Sequence, residues 1–184
     1  MKHVIWGLAA LLIISANTAI AAPEKKFSTL GTYFGIAQGW MEIEENNLNN
    51  DFQMYTFDLI GGATFHPNMG IEGRLGFGGT DTSGSKSYSL DHYVSFYFKP
   101  QYTFGRLNTY ALMGTSFVSS ETSQVVCGII CLQSKDEYTE FSLSYGAGAI
   151  YYFDMIMVGL EYVKVLDKDR VDIDRGGLMF GFVF

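Results

Sequence analysis

Proline, cysteine, histidine and basic residues are all scarce in this 184-residue chain, at 3, 2, 3 and 12 copies. Against the 12 basic residues stand 19 acidic ones, a formal charge of −7. Nucleic-acid binding is excluded on that balance, because it needs Lys and Arg to displace condensed counterions. Long apolar runs are missing too. Past residue 21 none reaches 18 residues, and the best candidate, 147–160, is broken by Asp154 and carries four Gly or Tyr. A membrane helix needs about 20 apolar residues, so none is expected. Charged residues make up only 17% of the chain, few for a soluble domain.

Aromatic residues and glycine fill the space: 15 Phe, 12 Tyr and 21 Gly, with 48% hydrophobic residues overall. Phe and Tyr favour strands and also membrane interfaces. The first 21 residues read as an export signal. Met1-Lys2-His3 is a short basic start, residues 4–14 are an apolar core, and Ala19-Ile20-Ala21 is a small-x-small cleavage pattern. Ala22 then begins the mature chain, and 22–184 form one domain. An uncleaved anchor is the weaker reading, since the apolar run is too short to span. Loss of Lys2 leaves the mature chain at −8. An exported, aromatic chain without a helix has one other way into a bilayer, a closed β-barrel whose backbone groups are all paired.

Barrel strands alternate in hydrophobicity and are joined by short turns on one side and longer loops on the other. Eight segments fit. In 29–41, Leu30, Phe34, Ile36 and Trp40 share a face. In 52–65, Tyr55, Phe57, Leu59, Ala63 and Phe65 do so, with Asp58 opposite. In 69–79, Met69, Ile71, Leu75 and Phe77 oppose Glu72 and Arg74. In 87–104, Leu90, Val94, Phe96, Phe98, Tyr102 and Phe104 alternate with Ser95, Tyr97, Lys99 and Gln101. Segment 109–118 has no clear phase. In 138–153 the outward set is Phe141, Leu143, Tyr145, Ala147, Ala149, Tyr151 and Phe153. In 155–165, Ile156, Val158, Leu160 and Tyr162 oppose Glu161. The last, 176–184, alternates Leu178, Phe180, Phe182 and Phe184 with smaller residues.

Connections at 66–68, 105–108 and 154–155 are short. Those at 42–51, 80–86, 119–137 and 166–175 are long and polar. This alternation predicts an eight-stranded antiparallel up-and-down barrel with both termini on the short-turn side. Pro100 inside a strand predicts a bulge or a strand already leaving the membrane, because proline cannot donate to a ladder. Gln38 in the outward phase fits only near the outer rim. A secreted β-sandwich also shows short alternating strands, but its water-facing side would be more polar than these.

The chain resembles the small outer-membrane β-barrels of Gram-negative bacteria, the opacity-protein and OmpA/OmpX-like group. The resemblance runs through "FYFKPQYTFG", "NTYALMGTSF", "SYGAGAIYYF", "VGLEYVKV" and the terminal "GFVF". It implies an outer-membrane location, contact with membrane lipid, and reading of a terminal Phe by the barrel-assembly machinery. Phe184 matches that position, with Phe182 and Phe180 behind it. The larger OmpA proteins carry a peptidoglycan-binding domain after the barrel; none follows here.

Eight strands leave an interior just wide enough for side chains. Asp58, Glu72, Arg74, Lys99, Glu140 and Glu161 fall on inward phases, and the 66–68 turn places Asp58 near Gly76, one diagonal step from Arg74. A lumen-filling ion network is favoured over a proton or solute path, because unpaired charges in a dry interior cost several kcal/mol each. An enzyme acting on outer-leaflet lipid needs a nucleophile, a histidine and an orienting acid. The mature chain offers His66 and His92. His92 has Asp91, Ser89 and Ser95 nearby, but residue 94 is Val where lipid A deacylases place a Ser two after the His. No cofactor or metal is expected: Asp167, Asp169, Asp172 and Asp174, with Lys168, Arg170 and Arg175 between them, read as a solvated self-paired rim and lack the spacing of a calcium loop. Cys127 and Cys131 bracket "GII" in the third long loop, and export favours a disulfide between them. The expected function is non-enzymatic surface contact through loops 42–51 and 119–137, with a host, another cell or lipopolysaccharide. A lipid-modifying enzyme and a narrow solute channel are the alternatives.

Overall fold

The computed structural model describes residues 30–45, 50–83, 86–127, 131–167 and 171–184. Nine strands run in one antiparallel sheet: β1 (Gly31–Glu45), β2 (Asn50–His66), β3 (Met69–Gly78), β4 (Thr80–Ser83), β5 (Lys86–Phe104), β6 (Leu107–Cys127), β7 (Cys131–Phe153), β8 (Ile156–Asp167) and β9 (Val171–Val183). β3 and β4 are one stave interrupted at Gly79, so the wall has eight staves. β1 pairs with β9 and β3 with β5, which closes the barrel. Among the described residues no helix is long and apolar enough to cross a membrane.

The wall follows the sequence alternation closely. Phe34, Ile36 and Trp40 of β1 point out, as do Phe96, Phe98, Tyr102 and Phe104 of β5 and Phe141, Leu143, Tyr145, Tyr151 and Phe153 of β7. On β9, Leu178, Phe180 and Phe182 are outward while Met179 is buried. β6 now has a phase: Met113 and Phe117 face out, and Asn108, Tyr110, Leu112, Ser116 and Val118 face in.

Two expectations about strands are corrected. Leu90 faces inward and is 1% exposed, although it shares parity with outward Phe96. A bulge between Leu90 and His92 inserts Asp91 into the β5–β6 ladder, and one extra residue exchanges the two faces. The bulge is therefore at Asp91. At Pro100 the same ladder merely lapses between Phe98–Met113 and Gln101–Tyr110, with no change of register.

The four long polar connections are also much shorter than the composition suggests. Regular strand reaches Glu45 and restarts at Asn50, and β6 and β7 stay paired to Cys127 opposite Cys131. Spanning takes about 9–11 residues, while β6 and β7 have 21 and 23. Their excess of about ten residues, at roughly 3.3 Å each, projects on the order of 30 Å along the strands beyond the apolar band. The outward residues described on these extensions, Ser119, Glu121 and Ser123 of β6 and Glu137 and Thr139 of β7, are polar because water and not lipid covers that face. That erased the pattern that marks a lipid-facing strand.

The turns at the other end are tight. Asp154 at φ 57° and Gly105 at φ 60° supply the left-handed residues. Backbone bonds then lace each turn to its neighbour: Gln101 N–H to Asn68 O at 3.0 Å, Tyr152 N–H to Arg106 O at 2.9 Å, and Val183 N–H to Met155 O at 2.8 Å. Phe184 N–H reaches Thr32 O at 2.8 Å.

Candidate functional site

Six ionised side chains meet in the lumen. Arg74 on β3 donates through Nε to Glu72 Oε1 at 2.7 Å and through Nη2 to Glu161 Oε2 at 2.7 Å. Lys99 Nζ donates to Glu72 Oε2 at 2.8 Å. Arg175 on β9 donates through Nη1 to Glu161 Oε1 at 2.7 Å, and its Nη2 lies 2.8 Å from Asp58 Oδ2. That second contact is a charge pairing whose angle is outside hydrogen-bond geometry. Three carboxylates thus meet three cations, and the cluster is neutral.

Tyrosines surround it. Tyr33 donates its hydroxyl to Glu72, Tyr93 to Asp58 and Tyr110 to Glu161. Lys99 Nζ lies 4.1 Å from the Tyr110 ring centroid, and Arg74 5.3 Å from that of Tyr97. Aromatic faces attract cations in this geometry. Glu72 and Glu161 therefore accept bonds from both a cation and a phenol, while Asp58 accepts from a phenol and is charge-paired with Arg175, which offsets the loss of water that makes buried charges costly.

Apolar side chains flank the cluster along the barrel axis. Toward the long-strand end five of the eight staves turn apolar inside: Met41 and Ile43, Phe52 and Met54, Leu90, Val165 and Leu166, and Ile173 are all buried. Toward the short turns stand Ile150, Met157 and Met179, with the polar Thr64, Gln101 and Asn108 also buried at that end.

Of the expected lumen residues, Asp58, Glu72, Arg74, Lys99 and Glu161 come together here. Glu140 does not join them: it faces inward opposite Val118, higher on β7, and is half-buried. Arg175 was assigned to a solvated rim and is corrected: it is 1% exposed, at the centre of the cluster. Its signal was available in the alternation, because Arg175 is in phase with inward Met179. Asp172 and Asp174 also belong to β9, half-buried on its outer face, and Lys164 Nζ lies 3.4 Å from Asp172 Oδ2. Asp167 ends β8, whereas Lys168, Asp169 and Arg170 lie outside the described residues.

His92 is not brought together with Ser89 or Ser95; its cross-strand partner is Ser119. His92 is exposed, while Ser95 points into the lumen 2.6 Å from the Ser116 hydroxyl. Ser89 accepts from Thr80 on the β4 side at 3.0 Å. His66 accepts the Asn68 N–H in the short turn at 3.2 Å. Among the described residues no group of three or more His, Cys, Asp or Glu could hold a metal ion. Cys127 and Cys131 stand opposite each other in the β6–β7 register, and their side chains lie outside the described residues. So do Ala19, Ala21 and Ala22.

An outward aromatic wall closed around a lumen of buried, paired charges defines a transmembrane β-barrel. The chain belongs to the family of outer-membrane-protein β-barrel domains, whose model matches residues 7–184, and the protein resides in the cell outer membrane. A search of the curated proteins finds no match. Among solved structures it is similar to Ail, the attachment invasion locus protein of Yersinia pestis, at 19% identity and a TM-score of 0.61, covering 84% of this chain and 99% of that one. Ail in complex with the heparin analogue sucrose octasulfate aligns at 18% identity and a TM-score of 0.57, covering 84% and 100%. Neisserial surface protein A aligns at 12% identity and a TM-score of 0.65, covering 84% and 97%. At these identities the likeness is one of fold.

Proposed function

We propose that this is a non-enzymatic surface protein whose extracellular ribbons and loops, 42–51 and 119–137 foremost, contact a host surface, another cell or lipopolysaccharide. The observation that carries this reading is the contrast between a lumen filled with paired side chains and a β6–β7 ribbon extended well past the membrane. A filled lumen disfavours a channel. An exposed His92 with Ser95 turned inward disfavours a lipid-modifying enzyme. Binding on rigidly held loops is the common arrangement on such scaffolds.

The structurally similar Ail was solved with a heparin analogue, which makes surface ligand binding a reasonable expectation for this barrel. The charge here points to a different ligand. The segments 42–51, 80–86, 119–137 and 166–175 hold twelve acidic and five basic residues, and Arg175 among the five is buried. Such a rim repels polyanions, the phosphates of lipopolysaccharide among them, so within this reading it favours a basic or neutral partner on a host surface or another cell over lipopolysaccharide.

Replacing residues 125–132 with a short Gly-Ser turn tests the reading. The barrel should fold, and binding of whole bacteria to cultured cells or of purified protein to immobilised lipopolysaccharide should fall. The interior double change Glu72→Gln with Arg74→Gln should alter stability and leave binding intact. Unchanged binding after the loop replacement, together with ion conductance in planar bilayers or lipid-modifying activity that the interior change abolishes, would replace this reading with one of its rivals.

A further inference from the structure

Most glycines in this wall are required by what stands beside them. A Cβ on Gly39 would lie 2.1 Å from Gly176 O, one on Gly62 2.2 Å from the Tyr33 ring, and one on Gly76 2.1 Å from the Tyr93 ring. Gly61 and Gly73 are different. A Cβ on Gly61 would meet nothing within 4 Å, and one on Gly73 only the Phe96 ring at 3.8 Å and Gly61 O at 3.9 Å, both ordinary contacts. The two are direct cross-strand partners in β2 and β3, both in the lipid-facing phase. The barrel's own packing gives no reason for side chains to be missing there.

The missing side chains leave a groove of about 600 Å³ on the outer wall, with Gly61 and Gly73 as its floor and Ile71, Phe96, Phe98 and Met113 at its sides. That volume lies within the range of pockets that hold small ligands. Gly73 is the middle of the five outward residues from Met69 to Phe77, so the floor is at mid-membrane. Ile71 and Phe98 lie on the short-turn side of the floor, and Met113 pairs with Phe98. The groove therefore runs from the mid-plane into the periplasmic half of the wall. At that depth the surrounding medium is hydrocarbon, and in that leaflet it comes from glycerophospholipid. Lipopolysaccharide occupies the other leaflet.

We infer that the groove is a seat for one acyl chain of a periplasmic-leaflet phospholipid, held more persistently than the bulk lipid around the barrel. The aromatic sides offer broad contact to a flexible chain, and the glycine floor lets the chain approach the backbone. This inference depends on the outer-membrane location and not on what the loops bind.

Native mass spectrometry of the full-length protein, extracted from outer membranes in mild detergent, tests it. The unaltered protein should carry one phospholipid per barrel. Gly61→Leu with Gly73→Leu fills the groove, and the lipid-bound fraction should fall about tenfold. Ala147→Leu, also outward but on β7, should retain the lipid. Heat-dependent gel mobility reports folding. Should the double variant fail to fold, Gly61→Leu alone, with nothing within 4 Å of its Cβ, gives the same reading. Equal retention in filled and unfilled barrels, or absence of lipid from the unaltered protein, would overturn the inference. A lipopolysaccharide adduct or a dimer displaced by the substitutions would overturn it as well.

Discussion

Arg175 is the residue that binds two carboxylates of the lumen together. It touches Glu161 at 2.7 Å and Asp58 at 2.8 Å, and its Nε donates to Thr56 Oγ1 at 3.2 Å. Replacing it with Met leaves two anionic partners in a site that water cannot reach. Breaking one side of a buried ion pair costs about 3–5 kcal/mol. Arg175→Met should lower the unfolding free energy of the vesicle-inserted protein by an amount of that order, read from the shift of its denaturant midpoint. Arg175→Lys should lose less, because it keeps the charge but offers one point where guanidinium offers a fork. An unchanged midpoint for Arg175→Met would show that the cluster contributes little. At this scale the sequence disclosed the outward aromatics well, since lipid selects them at every second position. It disclosed five members of the cluster by the same parity. Arg175 escaped because four aspartates before it give the segment the composition of a loop. Leu90 escaped because a bulge is a backbone event that leaves no mark on a pattern of two.

Among the elements, the β1–β9 seam depends most on small residues. Gly35 pairs with Gly181 and Gly39 with Gly177, and the two strands approach so closely that a Cβ on Gly177 would lie 2.7 Å from Gln38 O. Gly39→Val places branched carbons against the Gly176 carbonyl, so the seam should not close. Phe184→Asp removes the terminal aromatic at the same junction, and we expect the assembly machinery to read that residue. Both variants should give little heat-modifiable protein and accumulate as periplasmic aggregate, whereas Gly61→Val should insert normally. Normal insertion of Phe184→Asp would remove the assembly role, and normal insertion of Gly39→Val the steric one. The number of staves and their order were legible in the alternation of short and long connections. The heights of the staves were not. Above the membrane the inward residues still alternate, as Ile43, Phe52, Leu90 and Ile173 show, but the outward ones become polar, and a reading keyed to an outward apolar stripe ends each strand too early.

At the scale of the whole molecule, the mature chain should begin at Ala22 and carry one bond between Cys127 and Cys131. Intact-mass analysis of outer-membrane material checks both at once: the mass should match residues 22–184 less two hydrogens, and regain them on reduction. A mass retaining Trp6 would indicate an anchored precursor, and no change on reduction would indicate free thiols. The bond from Phe184 N–H to Thr32 O carries a larger consequence. It continues the β1–β9 ladder, which runs from Tyr33–Val183 to Glu45–Val171, so two strands far apart in sequence complete the wall. Until the final residues arrive, β1 and β9 each present a row of unpaired N–H and C=O groups, a hazard for aggregation in water and untenable in hydrocarbon. Without β9 the wall cannot close in the same way, and the sheet stays open. The barrel therefore becomes fit for a membrane only after its closing strand has been made, which ties insertion to the end of synthesis and not to its start.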